Sequence, residues 1–272
     1  CSGSASSYGG GIDSPRPASQ RAAALVLTAA LLTGAAFPAF ADTYYIENGD
    51  IVISAGTEAG TNKVEQGGTL KSENDKGTII SSSNKDTASS HTVTINAEDK
   101  NDKVEVTLKD VNIDVSKQSK AAVSVTGKGD TTIELDGDNE LKSGAGHAGL
   151  EHNKTDTSGE LTIQDKDNNG SLEAAGGFKG AGIGSAGSND AQVKITGGNI
   201  TATSDDWGAG IGSGSYGTGT VEITGGEINA TGGYLGAGIG GRCNGSGNVT
   251  ISGGTITAAG GDGAAGIGGG YY

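Results

Sequence analysis

The sequence has little of what usually stabilises a compact globular protein. Only two of its 272 residues are cysteines, and just one of them, Cys243, lies beyond the N-terminal region. An internal disulfide is therefore excluded in the remainder, and stability must come from packing and hydrogen bonds. Hydrophobic residues make up 33% of the chain and aromatic residues 4%, so one thick apolar core is not expected.

Basic residues are also scarce, and this restricts the partners. The formal net charge is −14, and Arg242 is the only arginine after Arg21. A surface this acidic argues against nucleic acid and against anionic membranes as partners. It is compatible with cations and with neutral sugars.

The N-terminal region has the pattern of an export signal. Arg16 and Arg21 precede an apolar stretch, Ala22–Phe37, and the small-x-small sequence at 39–41 is typical of a cleavage site. We predict an unstructured leader or misassigned start over residues 1–20 and a signal peptide over 21–41. The protein is then secreted or at the cell surface, with no membrane insertion after cleavage. Because the chain has no methionine and stops at Tyr272 within a repeat, we expect a fragment truncated at its C-terminus.

What the chain does have is a fixed repeat. Gly-Ala-Gly-Ile-Gly begins at Gly180, Gly208 and Gly236, and a variant begins at Ala264, each 28 residues after the last. A constant period of this size indicates stacked structural repeats. It compensates for the low hydrophobic content, because a thin continuous core needs few large side chains per unit.

Each repeat contains three short runs in which apolar and polar residues alternate. This alternation is the signature of strands with one buried face, and glycines between the runs supply sharp turns. The sequence therefore predicts an all-β fold, a single-stranded parallel β-helix with three short strands per coil and a 28-residue repeat in the C-terminal half. Three inward ladders of isoleucine are expected: Ile195, Ile223 and Ile251; Ile200, Ile228 and Ile256; Ile183, Ile211, Ile239 and Ile267.

The same pattern continues upstream with longer, more charged turns. We predict that the parallel β-helix spans residues 69–272, with Thr69–Glu73 as a strand of its first coil. Terminal repeats of solenoids are atypical because they cover the open core, so residues 42–68 are predicted to form an N-terminal cap.

Three stretches carry a family resemblance: Glu105–Val115, Ala121–Val125 and the Ile-Thr-Gly-Gly…Gly-Ala-Gly-Ile-Gly repeats. Over residues 69–270 the chain resembles secreted carbohydrate-binding-domain β-helix proteins of clostridia and related gut bacteria, with a fold similar to that of pectin lyases. The resemblance implies a right-handed parallel β-helix, export, and binding of cell-wall or plant polysaccharide, in some members with calcium.

Aromatic and acidic residues in one turn make the best candidate binding site. Trp207 and Tyr234 occupy the same turn of successive coils, with Asp205, Asp206 and Asp262 in that turn too. Aromatic rings with nearby hydrogen-bonding groups suit carbohydrate. The alternative is that the rings cap a corner of the core.

Residues outside this turn are given smaller roles. Tyr216 lies in a different turn and is expected to play no part. His147 and His152 lack a defined third metal ligand and are expected in exposed turns. Glycoside hydrolysis needs two carboxylates at a matched separation, and Asp205 and Asp206 are adjacent with no facing partner, so no catalytic residue and no enzyme activity are predicted.

A calcium loop is a second candidate site. Asp165, Asp167 and Asn169 place oxygen ligands at alternate positions, as in the first half of a calcium-binding loop, although position twelve is Gly176. The alternative is an acidic turn without metal.

Two further functions stay open. One is a structural stalk or adhesin repeat whose function lies in a missing C-terminal part. The other is ice binding through the outward ladder of Thr201, Asn229 and Thr257, which Asn229 and Ala259 interrupt.

Overall fold

The computed structural model describes residues 41–242 and 244–270. The predicted leader, the signal peptide up to residue 40 and Cys243 lie outside these residues. The described part is an all-β, right-handed solenoid of about seven turns, the hand that parallel crossover connections favour. Its single helical element is a short 3-10 turn at Ile46–Asn48.

The first third of the described chain forms the end of the solenoid and its first coils. Its strands are β1 (Thr43–Tyr45), β2 (Ile51–Ala55), β3 (Asn62–Gln66), β4 (Thr69–Asp75), β5 (Thr78–Ser81) and β6 (Val93–Ala97).

The middle third contains the coils with longer turns. Its strands are β7 (Lys103–Lys109), β8 (Asn112–Asp114), β9 (Val123–Gly127), β10 (Asp130–Lys142), β11 (Leu150–Lys154), β12 (Leu161–Gln164) and β13 (Gly170–Gly176). β10 bends and contributes to two sides of the solenoid.

The last third contains the regular repeats. Its strands are β14 (Ile183–Gly184), β15 (Asp190–Ile195), β16 (Asn199–Ser204), β17 (Ile211–Gly212), β18 (Gly219–Ile223), β19 (Glu227–Thr231), β20 (Ile239–Gly240), β21 (Gly247–Ile251), β22 (Thr255–Ala259) and β23 (Ile267–Gly268).

Successive coils pair in parallel and in register on three sides. β15, β18 and β21 stack on the first side, β16, β19 and β22 on the second, and β14, β17, β20 and β23 on the third. Ile195 pairs with Ile223, Ile200 with Ile228, and Ile211 with Ile239. The three-stranded coil, the repeat and the three isoleucine ladders are confirmed.

The core is a narrow column of aliphatic side chains along the axis. Ile183, Ile211 and Ile239 are fully buried, whereas Ile251 and Ile267 of the last described coil are partly exposed. A buried aliphatic side chain contributes about 1.5–3 kcal/mol relative to an exposed one. Each coil therefore depends on its neighbour for most of its stabilisation.

The N-terminal cap differs from the prediction in its position. β1 and β2 already pair in parallel with β5 and β6, as members of the solenoid. β4, the strand expected to begin the first coil, instead pairs antiparallel with β3, which pairs antiparallel with β2. β4 has only one apolar residue, Leu70, and is mostly exposed, so its sequence carries no alternation that would mark it as a strand of the core.

The third side is the narrowest. Its strands in the regular repeats are only two residues long, because the Gly-Ala-Gly-Ile-Gly segment closes on itself. The amide of Ala209 donates to the carbonyl of Ser213 over 2.9 Å, and that of Ala237 donates to Gly241 over 3.0 Å. The turns at the two ends of this side are therefore close together.

Candidate functional site

Two stacked sets of turns flank the narrow third side. The second turn, which follows the second strand of each coil, comprises 177–180, 205–208, 233–236 and 261–264. The third turn, which follows the third strand, comprises 185–189, 213–217, and 241–242 with 244–245. The amide of Gly233 donates to Gly208 over 3.0 Å, and that of Gly261 donates to Gly236 over 2.9 Å. Equivalent positions of successive second turns therefore align along the axis.

One position of the second turn alternates between an aromatic residue and a carboxylate. Continuing the register of β13, β16, β19 and β22 gives, in order, Phe178, Asp206, Tyr234 and Asp262. We call these four residues the second-turn row. Phe178 is 42% exposed and Tyr234 49% exposed. With coils about 4.8 Å apart, the two aromatic residues are spaced about 10 Å along the axis.

Trp207 lies next to this row and is partly buried. Its ring centroid is 6.0 Å from that of Phe178, and the planes are tilted by 41°. The ammonium of Lys179 lies 5.1 Å from the Phe178 ring and 5.8 Å from the Trp207 ring. Trp207 therefore packs against Phe178 and exposes a smaller fraction of its side chain than either aromatic residue of the row.

Arg242 reaches Trp207 from the third turn of the next coil. Its guanidinium carbon lies 4.1 Å from the centre of the Trp207 ring and 5.1 Å from that of Tyr216. Arg242 is 1% exposed, and Tyr216 is 52% exposed. The expectation that Tyr216 has no part in this cluster is wrong, because the narrow third side brings the second and third turns together.

A groove adjoins Phe178 on the second side of the solenoid. It encloses about 370 Å³, and its lining includes Phe178, Thr203, Asp205, Lys142 and Ser116. Lys142 also pairs with Glu140 on its own strand. The groove thus combines one aromatic ring with hydroxyl, carboxylate and ammonium groups, a mixture of apolar and polar lining that is common in ligand sites.

The structure distributes the five predicted carbohydrate-binding residues over three places. Asp206, Tyr234 and Asp262 are in the second-turn row, Asp205 lines the groove, and Trp207 packs behind the row. Sequence reasoning missed Phe178, although it precedes Tyr234 by two repeats. It also missed Lys179, which precedes Trp207 by one repeat, and Arg242, which no repeat step relates to Trp207.

In the predicted calcium loop, the carboxylate of Asp165 binds backbone amides of the loop itself. Both oxygens of the buried Asp165 accept hydrogen bonds from backbone amides, from Asn169 over 3.1 Å and from Gly170 over 3.0 Å. Asn168 adopts a left-handed conformation with φ of 56°. These contacts are those of an acidic turn that stabilises itself, and they favour the alternative without metal.

Asp167 and Asn169 line an acidic groove of about 370 Å³ on the first side, together with Glu105 and Glu134. The ammonium of Lys166 lies 3.7 Å from Glu105 and 3.8 Å from Glu134. The lysine thus offsets part of the negative charge of this groove. No group of three potential metal-ligating residues is found within 41–242 and 244–270.

One of the two histidines, His152, differs from the expectation of exposed turn residues. His152 is buried in β11, with Nδ1 3.2 Å from the carbonyl of Val125 and Nε2 3.0 Å from that of Gly159. Burial lowers its pKa below the usual value for histidine. His147 is partly exposed, and its Nδ1 lies 2.9 Å from the buried Glu151.

Comparison with known proteins supports the architecture. A family model described as "Beta helix repeat" matches residues 193–215, 221–246 and 249–271. No curated protein and no solved structure matches the chain. Within the part that the structure describes, no helix has the length and apolar character needed to span a membrane. The repeat match and the coordinates together identify a parallel β-helix protein.

Proposed function

We propose that this parallel β-helix protein is a non-catalytic polysaccharide-binding protein that acts outside the cell, at the bacterial surface. The second-turn row carries the proposal, because it places exposed aromatic rings and carboxylates alternately along the axis. The resemblance to secreted carbohydrate-binding β-helix proteins and the export pattern over 21–41 agree with it.

The row suits a linear sugar chain lying parallel to the solenoid axis. Phe178 and Tyr234 offer apolar faces for sugar rings, and their spacing of about 10 Å accommodates two sugar units between equivalent contacts. Asp206, between them, accepts hydrogen bonds from sugar hydroxyls. Because the row is mounted on stacked turns held by backbone hydrogen bonds, little ordering is needed on binding.

The arrangement of carboxylates favours binding over hydrolysis. Asp206 and Asp262 belong to the same row, two coils apart, so both would face a sugar chain along the axis from the same side. Glycosidases place two carboxylates on either side of the scissile bond, about 5–9.5 Å apart. Asp205 is adjacent to Asp206 and lines the neighbouring groove instead.

Affinity electrophoresis of the full chain in gels that contain soluble polysaccharides tests the proposal. We expect one or more polysaccharides to retard the wild-type protein, and the double variant Phe178→Ala/Tyr234→Ala to bind about tenfold more weakly, since each ring contact contributes about 0.5–1.5 kcal/mol. Tyr45→Ala is the matched control, because Tyr45 is 43% exposed but lies on β1, away from the row.

Equal retardation of the double variant and the wild type would exclude the row as the binding site. A wild-type protein that no polysaccharide retards would overturn the proposed function. The uninterrupted stack of coils would then favour the structural alternative, a stalk or adhesin repeat.

A further inference from the structure

We propose that Arg242 is a positioning residue for the second-turn row, since its guanidinium fixes the Trp207 ring and, through it, Phe178. The expected effect on sugar binding rests on the proposed function, whereas the effect on Trp207 itself does not.

The backbone of Arg242 contacts both the second and the third set of turns. Arg242 forms an isolated antiparallel bridge with Gly236 of the second turn. Its carbonyl accepts the amide of Gly245 over 2.6 Å within the third turn. The start of its side chain is therefore fixed relative to both sets of turns, and the guanidinium extends back to the preceding coil.

The surroundings of the guanidinium are aromatic. Arg242 is almost fully buried, yet Nε and Nη1 have no hydrogen-bond partner, and no carboxylate of the described residues forms an ion pair with it. An isolated buried charge is costly. The faces of Trp207 and Tyr216, at 4.1 and 5.1 Å, supply the favourable interaction, because ring quadrupoles attract cations most strongly when water is excluded.

The interaction is specific for arginine. A planar guanidinium stacks on aromatic rings, whereas the lysine ammonium is a compact, strongly hydrated charge. Lys179 illustrates the difference, since its ammonium lies farther from the Trp207 ring, at 5.8 Å. Lysine at position 242 would therefore keep the charge without restoring the stacked contact.

The position of Trp207 in turn affects the second-turn row. Trp207 packs against Phe178 with ring centroids 6.0 Å apart. A mobile indole would leave Phe178 without its support, and a less fixed ring binds a sugar more weakly because more side-chain freedom is lost on binding.

Trp207 is the only tryptophan in the chain, so its fluorescence measures the contact directly. In Arg242→Met we expect red-shifted emission, at least about twofold greater quenching by acrylamide, and polysaccharide affinity about fivefold lower, from the lost cation–π contact. Arg242→Lys should restore none of these three properties. Lys194→Met is the charge-matched control, because Lys194 pairs with Glu222 on the first side and should leave the emission unchanged.

The failures of the two proposals are distinguishable. Unchanged emission and quenching in Arg242→Met would overturn the positioning role, whatever the sugar binding. A wild-type protein that no polysaccharide retards would overturn the proposed function, while the fluorescence still decides the role of Arg242. If circular dichroism shows that Arg242→Met does not fold, Tyr216→Ala provides the second test. It removes one exposed ring from the guanidinium and should increase quenching in the same direction, and an unchanged value would count against the role.

Discussion

Gly212 lies against the carbonyl oxygen of Gly240 in the next coil, so close that a Cβ atom at Gly212 would overlap it. The same contact recurs from Gly184 to Gly212 and from Gly240 to Gly268. These glycines have φ between 126° and 133°, a conformation that side chains disfavour. Glycine at this position thus serves two needs, the backbone conformation and the close approach of coils.

Gly212→Ala and Gly268→Ala separate these two needs. Gly268 has the same conformation, with φ of 126°, but a Cβ atom at this position would meet nothing within 4 Å. We expect Gly268→Ala to cost about 1–3 kcal/mol from conformation alone. Gly212→Ala should cost about 1–3 kcal/mol more, because the coils must separate. Urea unfolding followed by Trp207 fluorescence measures the difference, and equal costs would contradict the steric contribution.

The buried His152 predicts a decrease in stability on mild acidification. Because its pKa is lowered in the folded state, the unfolded chain, with a pKa of about 6.5, takes up the proton first as the pH falls. Its contribution to stability is therefore present above about pH 6.5 and decreases as the pH falls from there toward the folded pKa. The thermal midpoint should be nearly constant from about pH 8 to 7 and decrease below about pH 6.5.

His152→Gln should weaken this decrease, because glutamine does not titrate and can still donate to one of the two carbonyls. His91→Gln is the control, since His91 is half-exposed beside Asp50 and its replacement should leave the decrease in place. A slope that is unchanged in His152→Gln would assign the effect to other groups.

The closed turn at Asp165 predicts stability that does not depend on calcium. Asp165→Ala removes the acceptor of two backbone amides and should cost about 1–3 kcal/mol, with the same cost in calcium and in a chelator. Differential scanning calorimetry measures both conditions. A thermal midpoint that rises with calcium in the wild type, but not in Asp165→Ala, would support the metal site instead.

The regular half of the fold could be predicted because the constant 28-residue step is compatible with only one stacking of the coils. Isoleucines that recur at a constant interval, such as Ile211 and Ile239, must stack if successive coils pair in register. The cap could not be placed from the repeat, because Thr69–Asp75 lies outside the 28-residue step and has only one apolar residue, Leu70, so no alternation specifies its neighbour. Only its pairing with β3 decides its place.

The site could be predicted only where the repeat step relates its members. Tyr234 and Asp206 follow from that step, and Phe178 would have followed from extending it back by two repeats. The contact of Arg242 with Trp207 crosses from one turn to another and from one coil to the next. This contact depends on the short strands of the third side, which are only two residues long. No spacing in the sequence specifies that length.

In-register stacking also determines which duplications of repeats the fold can accept. The upper edge of a regular coil is complementary to the lower edge of any other, so duplication of one repeat inserts a coil that fits between its parents without compensating changes. One inserted coil would place two carboxylates or two aromatic residues side by side in the second-turn row, whereas two inserted coils would preserve the alternation. The scaffold can therefore be extended by one coil at a time, whereas the alternating second-turn row can be extended only by two coils at a time.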